Sequence, residues 1–183
     1  MNFIIIHGTK AGPQSNWFPW LKETLEKAGH KVSVPQFPTP EDQDVDNWLD
    51  VLDDHIEDAS NTILIGHSIG CALMFNALFG AEEAFKASFF VSPVLEDIGK
   101  PEYDKLNKSF YEVELDWEDI KNHAGKVHIL YGEGDAYVPK EQAEELQRHL
   151  QTRMTVIPRG GHLNSEAGFN EFPDLLKMIA PLL

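Results

Sequence analysis

The 183-residue sequence predicts an α/β protein: a three-layer α/β/α sandwich around about six parallel strands. Two observations predict it. Short apolar runs, most of them rich in β-branched or aromatic residues, recur along the chain. Longer segments with an apolar rhythm near 3.6 residues separate them. Strand–helix alternation of this kind implies right-handed crossovers and a doubly wound parallel sheet.

The apolar runs are 3–6, 31–34, 62–65, 87–91, 126–131 and 154–157, short enough for strands buried on both faces. Residues 17–28 place Trp17, Trp20, Leu21, Leu25 and Ala28 at helical spacing, with Gly29 suited to end that helix. Residues 42–59 gather Val45, Trp48, Leu49, Leu52 and Ile56 on one face. Residues 69–79 form a largely apolar helix ending at Gly80. Residues 139–150 open with a proline suited to the first helical turn, and residues 172–182 close the chain. The connection from Ser92 to about His123 is less regular and reads as either a surface loop or a pocket wall, with a short helix at 116–123. No repeat or low-complexity tract interrupts the pattern, and the length suits one domain spanning 1–183.

Composition narrows the partners. A formal net charge of −15 gives a surface that on average repels nucleic acid and anionic membranes. With one cysteine, Cys71, no internal disulfide can form, which suits a reducing compartment. The N-terminus lacks a basic segment, its apolar run is too short for a signal peptide, and no stretch is long enough to cross a bilayer. These features predict a cytoplasmic protein, monomeric or a small homo-oligomer, without nucleic-acid or membrane partners.

The chemistry centres on Gly66-His67-Ser68-Ile69-Gly70, which follows a strand and opens a helix. A serine at such a turn projects above the sheet's C-terminal edge, and the flanking glycines remove side chains that would clash. The helix behind it offers free N–H groups and a positive dipole end to a developing negative charge. A serine hydroxyl needs a base, and the base needs an orienting acid. Asp135 follows the strand at 126–131, and His162 follows the strand at 154–157, so both fall at the sheet edge that carries Ser68. Asp97 and Glu133 are rival acids. The other histidines fit the base less well: His30, His55, His123 and His149 lie on or beside helices, and His128 lies in a strand. His7 and His67 flank the expected oxyanion site, which suits packing or local hydrogen bonds. The oxyanion donors are the N–H of Ile69 and, from the loop after the first strand, that of Thr9 or alternatively Lys10. A phosphate-binding loop is excluded because no Gly-Lys-Ser/Thr element follows His7-Gly8. No HExxH or Cys/His cluster has metal-ligand spacing, and no cofactor or metal is expected. Cys71, on an apolar helix, reads as a buried thiol.

At this point the chain resembles the small serine hydrolases grouped with retinoblastoma-binding protein 9 and the bacterial YdeN-type proteins. The matching stretches are the first strand with His7-Gly8, then Trp17-Phe18-Pro19-Trp20-Leu21-Lys22 and Asp46-Asn47-Trp48-Leu49. They continue through Gly66–Gly70, Ser92, Asp135 with Val138-Pro139, and Gly160-Gly161-His162. The resemblance covers essentially the whole chain and leans to the bacterial branch. It implies a minimal α/β-hydrolase fold beginning at what larger relatives count as their third strand. It also implies the triad Ser68, Asp135 and His162, and no cofactor. The Leu-x-Cys-x-Glu motif behind the mammalian relative's name is absent here.

The expected activity is cleavage of small ester or amide substrates, carboxylesterase-like, through an acyl-enzyme on Ser68. The alternative is a non-catalytic protein-interaction module that keeps the fold. No large cap domain fits in the chain, and Trp17, Phe110 and Tyr111 are candidates for either pocket wall or core.

Overall fold

Runs of β-branched and aromatic residues bury both faces only between two layers, and all six runs enter one sheet. The computed structural model describes residues 1–183. The strands are β1 (Asn2–Ile6), β2 (Lys31–Ser33), β3 (Thr62–His67), β4 (Ala87–Val91), β5 (Lys126–Gly132) and β6 (Met154–Ile157). The helices are α1 (Phe18–Lys27), α2 (Val45–Asp53), α3 (Ile69–Leu78), α4 (Pro101–Asn107), α5 (Trp117–His123), α6 (Lys140–His149) and α7 (Pro173–Ile179). The sheet order is β2-β1-β3-β4-β5-β6, every neighbouring pair is parallel, and the α/β/α class expected from the sequence is the one observed.

Alternation along the strands divides the core in two. On β1, Phe3 and Ile5 face one layer with Trp17, Phe18, Leu21 and Leu25 of the α1 region and Leu175 and Ile179 of α7. Ile4 and Ile6 face the other, with Trp48 and Leu52 of α2, most of α3, Ile120 of α5 and Leu146 of α6. α3 is apolar all round because it packs centrally, with eight of its ten residues buried. Each fully buried Leu, Ile or Phe contributes about 1.5–3 kcal/mol relative to exposure, so these two layers supply the driving force that holds the sheet edge in place.

Several expectations need correction. β1, β3 and β4 are buried almost throughout, but the edge strands β2 and β6 are not: Lys31, Thr155 and Val156 are exposed because only one neighbour strand and sparse helix cover reach them. The helix expected over 42–59 is only α2. Asp44 caps its start by accepting from the Asp46 N–H at 2.9 Å. Its end comes where Asp53 and Asp54 meet the negative end of the helix dipole, and a separate 3₁₀ turn, Ala59–Asn61, leads into β3. The irregular connection contains a helix, α4, and a 3₁₀ turn at Lys108–Phe110 before α5. The last helix stops at Ile179 and tightens into the 3₁₀ turn Ala180–Leu182, where Pro181 brings no N–H for an α-helical bond. No helix is long and apolar enough to cross a membrane.

Candidate active site

The chain leaves β1 toward β2 on one side and returns as β3 on the other, so the strand order reverses at β1. A crevice opens at such a reversal, beyond the C-terminal ends of the strands. The loop after β1 and the turn after β3 meet there.

Ser68 sits at φ 59°, ψ −124°, a left-handed conformation that costs a non-glycine residue about 1–3 kcal/mol. Three backbone bonds hold it: its N–H donates to Val91 O at 3.0 Å, and its carbonyl accepts from Cys71 at 3.0 Å and Val94 at 3.4 Å. Both elbow glycines are required by space. A Cβ on Gly66 would lie 2.6 Å from Met74 Sδ, and one on Gly70 would lie 2.6 Å from Ile6 O and 2.8 Å from His7 O. Cys71 is buried, its Sγ 3.2 Å from Gly66 O, and burial pushes its thiol far up, so it is no nucleophile.

The loops after β5 and β6 are brought together by backbone contact. A Cβ on Gly132 would fall 2.1 Å from Gly161 O, so only glycine allows this approach. Glu133 N–H donates to Ile157 O at 2.9 Å and Gly161 N–H to Glu133 O at 3.1 Å. The result is a pair: His162 Nδ1 lies 2.8 Å from Asp135 Oδ2. The other carboxylate oxygen, Oδ1, accepts from the N–H groups of Tyr137 at 2.8 Å and Val138 at 3.0 Å. Burial pushes the Asp135 carboxyl up, but the hydrogen bond and charge of His162 and these two N–H groups outweigh it and hold it below the usual carboxylate range. A carboxylate can only accept, so His162 Nδ1 carries the proton and Nε2 keeps its lone pair. The rival acids are engaged elsewhere: Asp97 accepts from Tyr111 OH at 2.5 Å, and Glu133 accepts from the Arg159 N–H at 3.2 Å.

Two buried side chains clamp the backbone around His162. His67 Nε2 donates to the His162 carbonyl at 2.9 Å, and Trp17 Nε1 donates to that of Leu163 at 2.9 Å. The His67 ring also tilts against the His162 ring at 4.8 Å. Burial above all, then the nearby His162, pushes His67 down to about 3, so it stays neutral. His7 does a similar service on the opposite wall. Its Nε2 accepts from the Phe37 N–H at 3.0 Å, so its Nδ1 carries the proton donated to Gly8 O at 2.9 Å.

Hydrogen bonding distinguishes the N–H groups of Thr9 and Lys10. Lys10 N–H is spent on Thr39 Oγ1 at 2.8 Å. Thr9 N–H takes no part in the backbone hydrogen bonds of the loops, and Ile69, as the first residue of α3, has no intrahelical acceptor. Gly8, Thr9, Ser68 and His162 all line one pocket of about 370 Å³. Trp17 is core, as is Phe110, whose ring meets Trp48 edge-on at 5.0 Å, and Tyr111 turns to Asp97; none of the three lines the pocket. The aromatic wall is instead Tyr103 and Tyr137. Sequence reasoning passed over Tyr137 and over α4, which brings Tyr103 and Asn107 to the pocket. The signal for α4 was present in Pro101 at a first-turn position followed by Glu102 and Asp104.

The fold and this crevice define a minimal α/β hydrolase with a serine at its elbow. The same architecture recurs in MGS-MChE2, an α/β hydrolase from a lagoon-sediment metagenome, with a TM-score of 0.74 at 19% identity over 99% of this chain and 91% of that one. A serine hydrolase family model matches residues 3–181, and the chain belongs to that family. Among its relatives, YdeN of Bacillus subtilis (strain 168) is 26% identical over 172 residues, 92% of this chain and 89% of YdeN. The crystal structure of YdeN superposes with a TM-score of 0.90, at 25% identity, covering 99% of this chain and 97% of that one. The serine hydrolase RBBP9 of Rattus norvegicus is 21% identical over 183 residues, 98% of this chain and 94% of RBBP9.

Proposed function

We propose that the chain cleaves small carboxylic esters or amides by acyl transfer through Ser68, His162 and Asp135. The observation that carries this reading is the Asp135–His162 pair at 2.8 Å, whose histidine lines the same pocket as a serine on a strained elbow. His162 Nε2, left basic by its partner, takes the Ser68 proton as Oγ attacks the carbonyl carbon. Asp135 keeps the ring oriented and balances the imidazolium. The N–H groups of Ile69 and Thr9 meet the oxyanion; loss of one such donor typically costs about 10²–10³ in kcat. His162 then passes its proton to the leaving oxygen or nitrogen, and a water activated by the same ring releases the acid. Membership of the serine hydrolase family supports the hydrolytic class, and the engagement of Asp97 and Glu133 elsewhere supports Asp135 as the acid.

Intact mass after treatment with a fluorophosphonate probe tests it. Wild type is expected to gain one adduct, Ser68→Ala none, and His162→Ala the same adduct at a strongly reduced rate. A folded wild type that gains no adduct would overturn the reading and leave the interaction module in its place.

A further inference from the structure

The pocket that Ser68 and His162 line is mostly polar. Besides Tyr103 and Tyr137, its apolar lining is Ala11 and Ile98, whereas Gln14, Ser15, Asn16 and Asn170 present amides and hydroxyls. One of the lining side chains, Asn107, is only 3% exposed, and a buried amide of that kind is costly to leave unpaired.

Its orientation follows from the two ends of a hydrogen-bond chain. At one end, Lys10 N–H can only donate, so Thr39 Oγ1 accepts it at 2.8 Å and sends its own proton to Gln43 Oε1 at 2.6 Å. The Gln43 amide must then present Nε2 to the other side. There it meets Leu106 O, a group that can only accept, at 3.3 Å. The same Nε2 donates to Asn107 Oδ1 at 2.8 Å and reaches Thr9 Oγ1 at 3.0 Å, while Thr9 Oγ1 donates to Asn107 Oδ1 at 2.5 Å. Asn107 Oδ1 is therefore the accepting atom of the network. The Nδ2 amino group is turned away from it, has no protein partner, and is not sealed from the pocket that Asn107 lines.

We propose that Asn107 is a substrate-recognition residue whose side-chain NH₂ donates to an acceptor oxygen in the acyl part of the substrate, so that short oxygenated acyl groups are selected over hydrocarbon chains of the same shape. This rests on the acyl-transfer reading above. The acyl side is assigned because Asn107 is bonded to Thr9, whose N–H faces the carbonyl oxygen, whereas the leaving group departs on the His162 wall. An ether or hydroxyl oxygen satisfies a donor that a methylene leaves unpaired, and a neutral hydrogen bond is worth about 0.5–1.5 kcal/mol net, or about threefold to tenfold in rate. The same network ties recognition to turnover, because Asn107, Gln43 and Thr39 hold the Thr9–Lys10 loop that carries the oxyanion donor.

The test uses two pairs of p-nitrophenyl esters that differ by one oxygen for one methylene: methoxyacetate against butanoate, and 3-methoxypropanoate against pentanoate. Each kcat/KM is divided by the ester's hydroxide-catalysed rate constant to remove intrinsic reactivity. Wild type is expected to favour the oxygenated member of at least one pair by about threefold to tenfold. Asn107→Asp keeps an oxygen for Thr9 and Gln43 but replaces the donor by an acceptor, and is expected to bring that ratio to about one or below, whatever it does to the absolute rates. A wild-type ratio near one in both pairs overturns the inference without any variant, and so does a preference that survives in Asn107→Asp. Labelling of Ser68 by the fluorophosphonate with no turnover of the oxygenated esters also overturns it while sparing the hydrolase reading. Neither labelling nor turnover would remove both.

Discussion

Replacing His67 with glutamine removes a histidine that folding keeps neutral at the cost of sensitivity to acid. His67 is 3% exposed, its Nε2–H is committed to the His162 carbonyl, and its Nδ1 is buried without a partner. A proton added at Nδ1 would find no acceptor in a site that water does not reach. In the unfolded chain the ring titrates at 6.5, and in the folded protein it is pushed down to about 3. Between these values the unfolded state binds the extra proton, so stability rises with pH and falls on acidification. The loss begins as pH drops through 6.5 and is complete near pH 3, where it amounts to roughly 5 kcal/mol at 1.36 kcal/mol per unit. From pH 7 to pH 5 the same relation gives about 2 kcal/mol. Glutamine has no titration in this range and still carries an N–H to offer the His162 carbonyl. Urea unfolding at pH 7, 6 and 5 should therefore show wild type losing about 2 kcal/mol more than His67→Gln over that interval. Other ionisable groups, His7 among them, are common to both proteins and cancel. Stability curves that run parallel within about 0.5 kcal/mol would refute the argument that His67 is held neutral by burial.

Asp135→Asn should leave the fold in place and lower kcat about 10⁴-fold, because the Tyr137 and Val138 N–H groups keep the amide oxygen and force NH₂ toward His162 Nδ1; steady-state ester hydrolysis checks this, and retention of a tenth of the activity would contradict it. Gly70→Ala should destabilise by about 1–3 kcal/mol, toward the upper end, since the new methyl meets the Ile6 and His7 carbonyls, backbone atoms that cannot rotate aside. Urea melts measure it, and a variant as stable as wild type would mean the elbow has more room than its geometry implies.

What the sequence made legible is what short-range pattern encodes. The six runs and the alternation between them led to the observed sheet because β-branched and aromatic clusters between amphipathic helices admit few other arrangements. Ser68, Asp135 and His162 could be named because each follows an apolar run and therefore sits at one edge of a parallel sheet. What separates Thr9 from Lys10 was not legible, since it turns on Thr39, 29 residues away, accepting the Lys10 N–H. Asn107 was invisible for the same reason: which of its two amide atoms is engaged depends on Gln43, 64 residues distant. Aromatic character alone left Phe110 and Tyr111 open to pocket wall or core, and a 3₁₀ turn places Phe110 in the core against Trp48.

The loop after β1 and the segment bearing Asn107 nevertheless form one packed unit. Trp48 stacks on Phe37 at 4.7 Å, meets His7 at 5.4 Å and meets Phe110 at 5.0 Å. Phe37 gives its N–H to His7, which holds Gly8, while Phe110 ends the Lys108–Phe110 turn that directly follows Asn107. The Gly8–Thr9 loop and the segment bearing Asn107 are thus set by a single buried aromatic cluster on α2's side of the sheet. The Asp135–His162 pair is set by backbone contacts between Gly132 and Gly160-Gly161, with Trp17 and His67 clamping from the other layer. The Asp135–His162 contact therefore joins the two layers of the sandwich: Val138, whose N–H holds Asp135, packs in the layer of Trp48, whereas Trp17, which holds the Leu163 carbonyl beside His162, packs in the other layer.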